Sequence, residues 1–289
     1  MKTACPLNVD NKNISVEQAL ETFSKPVSAN RVRNFDVFGV KNVNHHLNAF
    51  FEQLTRSKIK ASFSRDQIII QAVKYAEELD FVISKVFERL FEWYGLYYPE
   101  ATLKAESVEK FGKALKNGID RESASKKLGI NSESMGGSFS DKDLNDLEIS
   151  INSFNHLIAE RDRVKDYIER IVREIAPNAS DIATPFLAAK LISDANGLRA
   201  LAGMPSSTIQ VMGAEKALFR HLTTGAKSPK YGIIFQHPLI NKVKRENRGK
   251  IARTLANKIS IAVKTDYYSP GLNVSKQLLK QINERTRKL

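Results

Sequence analysis

Ser64–Pro99 reads SRDQIIIQAVKYAEELDFVISKVFERLFEWYGLYYP, and its apolar spacing decides the fold class. Ile69, Ala72, Ala76, Leu79, Ile83, Val86, Leu90 and Trp93 recur with gaps of 3-4-3-4-3-4-3. Such a seam belongs to a helix packed lengthwise on another helix. Ser64 is placed to cap it, Asp66 suits its positive end, and Pro99 ends it. A second long helix is predicted over Asp141–Ile175, stopped by Pro177. Its seam runs through Leu144, Leu147, Ile151, Phe154 and Ile158, changes phase near Arg161, and resumes at Val164, Ile168, Ile171 and Ile175. Two seamed helices joined by a tip pair most simply as an antiparallel coiled coil. The candidate coiled-coil and self-association residues are Ile69, Val73, Leu79, Ile83, Val86, Leu90, Ile151, Phe154 and Ile158. Off the first seam, Ile70, Val73, Phe87, Phe91 and Tyr94 widen the stripe and call for a further partner, a second copy being the expected one.

The tip, about residues 100–140, holds predicted short helices at Ala101–Lys116 and Arg121–Leu128 and a polar loop at Asn131–Ser138. After Pro177 the pattern becomes a compact all-helical region, with candidates at Pro185–Ser193, Ser206–Leu222, Arg248–Val263 and Val274–Arg287. Tyr231–Phe235 reads as a short buried apolar piece. Residues 1–60 are mixed: Ser15 looks like a helix start with Gln18 three residues on, and Phe35–Val40 alternates like a strand. The expected fold is mainly α, with a long antiparallel coiled coil, a compact helical domain and a small mixed α/β N-terminal segment. The expected domains are 1–60, 61–178 and 179–289.

The 289 residues carry a formal charge of +13. From Leu201 to Leu289 there are 17 Lys+Arg against 4 Asp+Glu, so the whole excess lies in the last third. Such asymmetry suits a polyanion, nucleic acid or anionic lipid. No apolar run approaches the ~18 residues of a membrane span. The opening MKTACP lacks the apolar core of a signal peptide. Cys5 is the only cysteine, which leaves no internal disulfide and no Cys-rich zinc site. A cytoplasmic location is expected.

Gly213–Ile233 heads the basic third and reads GAEKALFRHLTTGAKSPKYGI. Gly213 and Ala214 leave room for another backbone. Glu215 opens a helix on which Lys216 and Arg220, four apart, share a face. Leu218 and Phe219 are expected to serve the core. Thr223–Lys230, with Lys227 and Lys230, offers hydroxyls, amides and cations of the kind that contact phosphate and sugar. An amphipathic helix followed by a solvated loop would read the same. A second cationic cluster runs Lys242–Lys250 and on to Arg253, with Arg248 and Lys250 at a helix start where the macrodipole disfavours them. His237 is placed to bond or stack on a base, or to serve the core. The five histidines show no HExxH spacing, and there is no P-loop, GxSxG or dinucleotide fingerprint, so no catalytic or metal residues are expected.

These residues resemble the Nop-domain family. Gly213–Arg220, Gly225-Ala226-Lys227, Pro229–Gly232, Phe235–Pro238, Arg248–Arg253 and Val263–Tyr268 fit its signature in order. So do Ala202-Gly203 and Pro205–Val211. In the first long helix, Gln71-Ala72, Glu78–Asp80, Glu88–Leu90 and Trp93–Glu100 match as well. The likeness runs from about Ser64 to Tyr268 and is nearest to archaeal scaffolds of box C/D guide-RNA ribonucleoproteins. It implies a non-enzymatic role in RNA 2′-O-methylation. In such particles the Nop domain binds box C/D RNA at a kink-turn together with a small ribosomal-protein-like binder, and the coiled coil self-associates. The N-terminal domain holds fibrillarin, which binds S-adenosylmethionine and transfers the methyl group, so no cofactor is expected on this chain. The implied RNA- and partner-binding residues are Gly213, Ala214, Glu215, Lys216, Arg220, Lys227, Lys230, His237, Arg248, Lys250 and Arg253. Only about 60 residues precede the first long helix, so the fibrillarin-holding domain reads as either reduced or mostly missing. Two alternatives are a spliceosomal-type assembly protein of the same fold and an RNA-modifying enzyme.

Overall fold

The computed structural model describes residues 7–9, 12–14, 43–105, 107–116, 118–131 and 133–287. The chain forms two compact units, Met1–Ser64 and Arg65–Leu289. In the first, β1 (Leu7–Val9) pairs antiparallel with β2 (Lys12–Ile14), and α1 spans Val43–Ser62. The sequence reading missed α1. The expected helix start at Ser15 and strand at Phe35–Val40 lie outside the described residues.

In the second unit, α2 (Asp66–Tyr97) and α6 (Asp141–Ile175) lie antiparallel. Asp80 faces Arg161 and Lys165, and Phe87 stacks on Phe154 with centroids 6.3 Å apart. Helix α6 starts at a capping box: Ser140 Oγ accepts from the Asp143 amide, and the Asp143 carboxylate accepts from the Ser140 amide. The start of α2 differs from expectation. Its cap residue is Arg65, with no side-chain cap, and Asp66 accepts a 2.8 Å bond from the amide of Leu198 instead. At the other end Trp93 is 39% exposed, and Tyr94 takes the seam position, fully buried, donating to Ile119 O.

The phase change on α6 has a charged cause. Arg161, only 12% exposed, lies 3.4 Å from Glu109 and 3.7 Å from Asp80, and Lys165 lies 3.2 Å from Asp80. These heads cannot sit in an apolar seam, so the stripe steps around them. Beyond that layer the tip folds back as α3 (Pro99–Lys104), α4 (Val108–Leu115) and α5 (Arg121–Leu128). Phe111 of α4 meets Phe87 edge-on at 5.5 Å and touches Phe91, Tyr94 and Phe154. The widened stripe is thus covered within the chain and gives no argument for a second copy. Arg121 locks the tip by donating to the carbonyls of Tyr97, Gly136 and Gly137.

The remaining helices are α7 (Pro177–Ala183), α8 (Pro185–Asp194), α9 (Leu198–Gly203), α10 (Ser206–Val211), α11 (Glu215–Thr224), a 3₁₀ turn (Ile233–Gln236), α12 (Pro238–Lys242), α13 (Arg248–Tyr268) and α14 (Ser275–Arg287). One core joins all of these except α11 to the base of the coiled coil. Ile69, Val73, Ile168 and Val172 belong to it together with Leu187, Leu191, Ile209, Leu255 and Ile259. A second core, with Ile83, Leu90, Tyr94, Phe111, Ile151 and Phe154, fills the distal half, and Val86 and Ile158 pack against it. Leu79 is buried between.

Two buried polar side chains fasten helix starts across this core. Asp266 of α13 accepts from the amides of Asn178 and Ala179 at the head of α7, and from Asn178 Nδ2. Asn178 Oδ1 in turn accepts from Val274 and Ser275 at the head of α14. Burial raises the Asp266 carboxyl, against the lowering effect of those N–H groups. Among the described residues, no helix is long and apolar enough to cross a membrane.

Candidate nucleic-acid interface

The expected single helix Ser206–Leu222 is two helices, α10 and α11, broken at Gly213. Gly213 has φ +81°, and a Cβ there would meet Ile233 Cγ2 at 2.4 Å. Gly232 is tighter still, with its imagined Cβ 1.8 Å from Met212 O. Amides of Gly232 and Ile233 donate to Gln210 O and Met212 O, both at 2.8 Å. The close approach that glycine permits is therefore the chain's own: the two ends of the 213–233 stretch are laced together, and α11 with its loop closes between them.

Helix α11 has no buried residue. Lys216 and Arg220 are exposed on one face, as expected, with Glu215 beside them holding the Gly213 amide at 2.7 Å. Leu218 is half-buried, but Phe219 and Leu222 are 66% and 70% exposed, contrary to the core role expected of Phe219. Ala214 is half-buried at the cap position. The hydroxyls of Thr223 and Thr224 donate back to helix carbonyls, and Gly225 ends the helix at φ +68°. His221 closes the loop through Ala226 O, leaving Lys227 exposed beyond it.

The loop then runs to the head of α13. Gln210 Nε2 bonds Lys230 O at 2.6 Å, and the Lys230 stem passes 3.6 Å from the Cβ position of Gly249. Lys230 is thereby brought beside Arg248 and Lys250. Arg248 is half-buried; it lies 5.7 Å over the Phe235 ring and donates to Val243 O, while Phe235 stacks on Tyr231 at 4.8 Å. Its charge is anchored in a stack that stiffens this corner. Lys250 and Arg253 are exposed.

His237 is not brought to this surface. It is 7% exposed, its Nδ1 accepts from the Leu239 amide to start α12, and burial lowers its pKa against a bond to the backbone of Ile182. Only its place in the fold could show this. Sequence reasoning also missed Thr184, a β-branched residue at φ +77° between α7 and α8.

Residues 75–288 match the Nop family profile, described as "snoRNA binding domain, fibrillarin". The chain belongs to the Nop family. A NOP5 family protein of Methanocaldococcus jannaschii is 38% identical over 89% of this chain and 64% of its own length. Nucleolar protein 56 of Dictyostelium discoideum is 36% identical over 80% of this chain and 47% of its own. The chain thus spans about half to two thirds of these relatives. A crystal structure of a fibrillarin/Nop5p complex contains a chain matched at a TM-score of 0.50 and 25% identity, over 99% of this Nop chain and 100% of that one.

Proposed function

We propose that this chain is a non-catalytic scaffold of a box C/D guide-RNA ribonucleoprotein. The observation that carries it is the Nop match, together with the exposed cations Lys216, Arg220, Lys227, Lys230, Lys250 and Arg253 on α11, its loop and the head of α13, where the Lys230 stem passes Gly249. In this reading the face clamps kink-turn RNA already held by a ribosomal-protein-like binder, and Phe219 and Leu222 lend the apolar contact a protein partner needs. Self-association of the coiled coil enters this reading through the Nop likeness alone, because its widened stripe is covered within the chain. Fibrillarin is the partner methyltransferase and holds S-adenosylmethionine; the fibrillarin/Nop5p structure supports that partnership.

The test is a titration of kink-turn RNA with and without its primary protein binder. The expected result is tight binding only to the protein-bound RNA. Equal, weak binding in both cases would sink the composite face. A fibrillarin pull-down with the full chain checks recruitment, and methyl transfer by the purified chain alone would overturn the scaffold reading.

A further inference from the structure

Helix α13 presents a second feature that the 213–233 surface does not use. Lys250, Arg253, Asn257, Ile261, Lys264 and Tyr268 are all exposed and recur at gaps of three and four, so they form one straight line along the helix. At about 1.5 Å per residue the line is ~27 Å long. The only acid in α13 is Asp266, which is buried and occupied by the head of α7. The line therefore carries three cations and no anion. None of the three cations is in an ion pair among the described residues, although their neighbour Lys258 on the flank bonds Gln281. Midway sits Ile261, 44% exposed, and at the far end Tyr268, 66% exposed and braced edge-on by Tyr267 at 4.8 Å.

From these placements we infer that the outer line of α13 is a path for single-stranded RNA, entering at Lys250 and Arg253 and ending with a base stacked on Tyr268. This rests on the scaffold reading and extends it to a strand leaving the clamped RNA. An acidic protein would suit the cations, but a braced, open aromatic ring at the end of a cationic line matches the stacking-and-groove chemistry of single-strand binding. A duplex offers no open base face to Tyr268. The line is as long as about eight nucleotides at the ~3.4 Å spacing of a stacked strand. It is continuous with the Lys242–Lys250 cluster, so a strand passing from one to the other stays on positive surface.

The experiment measures affinity of the full chain for protein-bound kink-turn RNA, bare and carrying a single-stranded uridine extension of about ten nucleotides. The extension should tighten binding about tenfold, and a duplex extension of equal length should not. Tyr268→Ala and Lys264→Glu should each remove most of that gain while leaving the bare RNA affinity unchanged; Tyr268→Phe should keep it. No gain from the extension, an equal gain from duplex, or a gain indifferent to Tyr268 and Lys264 would overturn the path. Failure of the bare complex to bind at all would instead sink the scaffold reading. In that case a free uridine oligomer bound in a Tyr268-dependent way would still support the path.

Discussion

At Thr184 the backbone adopts φ +77°, ψ 147°, a region that glycine enters freely and β-branched residues avoid. The position is held by Pro185, which starts α8, and by the buried flank of α7. Strain of this kind costs on the order of 1–3 kcal/mol, part of which glycine would give back as unfolded-chain entropy. Thr184→Gly should therefore stabilise the protein by about 1 kcal/mol, read as a higher melting temperature. His237 supplies the pH counterpart. Folding holds it neutral, because burial lowers its pKa, whereas the unfolded chain takes up a proton near pH ~6.5. Its contribution to stability is complete above that value and is lost as the pH falls below it. Denaturant midpoints should drop between about pH 7 and 5, and His237→Gln should flatten that part of the curve.

The bounds of helix α6 were legible from its seam and from Pro177 at its end, whereas the capping box of Ser140 and Asp143 that starts it emerged only in the structure. The seam of α2 was legible as a pattern but not as a rotation. Trp93 and Tyr94 are adjacent in sequence, and only the packing of Phe111 and the carbonyl of Ile119 decide which one turns inward. The break between α10 and α11 was hidden because Gly213 is compatible with a helix until Ile233 arrives against it. The cationic residues of the candidate face could be named from the sequence, whereas the burial of His237 and the exposure of Phe219 depend on neighbours far along the chain. Two predictions belong to this scale. Gly232→Ala forces a methyl into Met212 O, so it should destabilise by on the order of 3 kcal/mol and release α11. Weakened RNA binding with near-native helix content by circular dichroism is the expected signature. Ile83→Asp places a carboxylate in a position 1% exposed and should cost on the order of 4 kcal/mol. Unchanged melting and unchanged sedimentation mass would show that Ile83 does not hold the coil.

For the molecule as a whole, charge and mass are distributed oppositely. The first 200 residues are electrically balanced, and the last third carries the entire excess of +13. If about six phosphates are neutralised, the slope of log K against log salt should lie near −5 for a duplex ligand. A slope near zero would remove the electrostatic role of this region.

The single core that runs from Ile69 and Ile168 into Leu191 and Ile259 also has a mechanical meaning. A coiled arm set on a linker would swing, and its two ends would report different distances from moment to moment. Here the arm is mortised into the block that carries the basic face, with Asp66 gripping α9 and Lys190 gripping Glu77 across the joint. Whatever binds at the tip is thus held at a fixed bearing to whatever lies on α11 and α13. Within the unit Arg65–Leu289 the arm and the block are therefore one body, and the charged layer at Arg161, Lys165 and Asp80 marks where its proximal core gives way to its distal one.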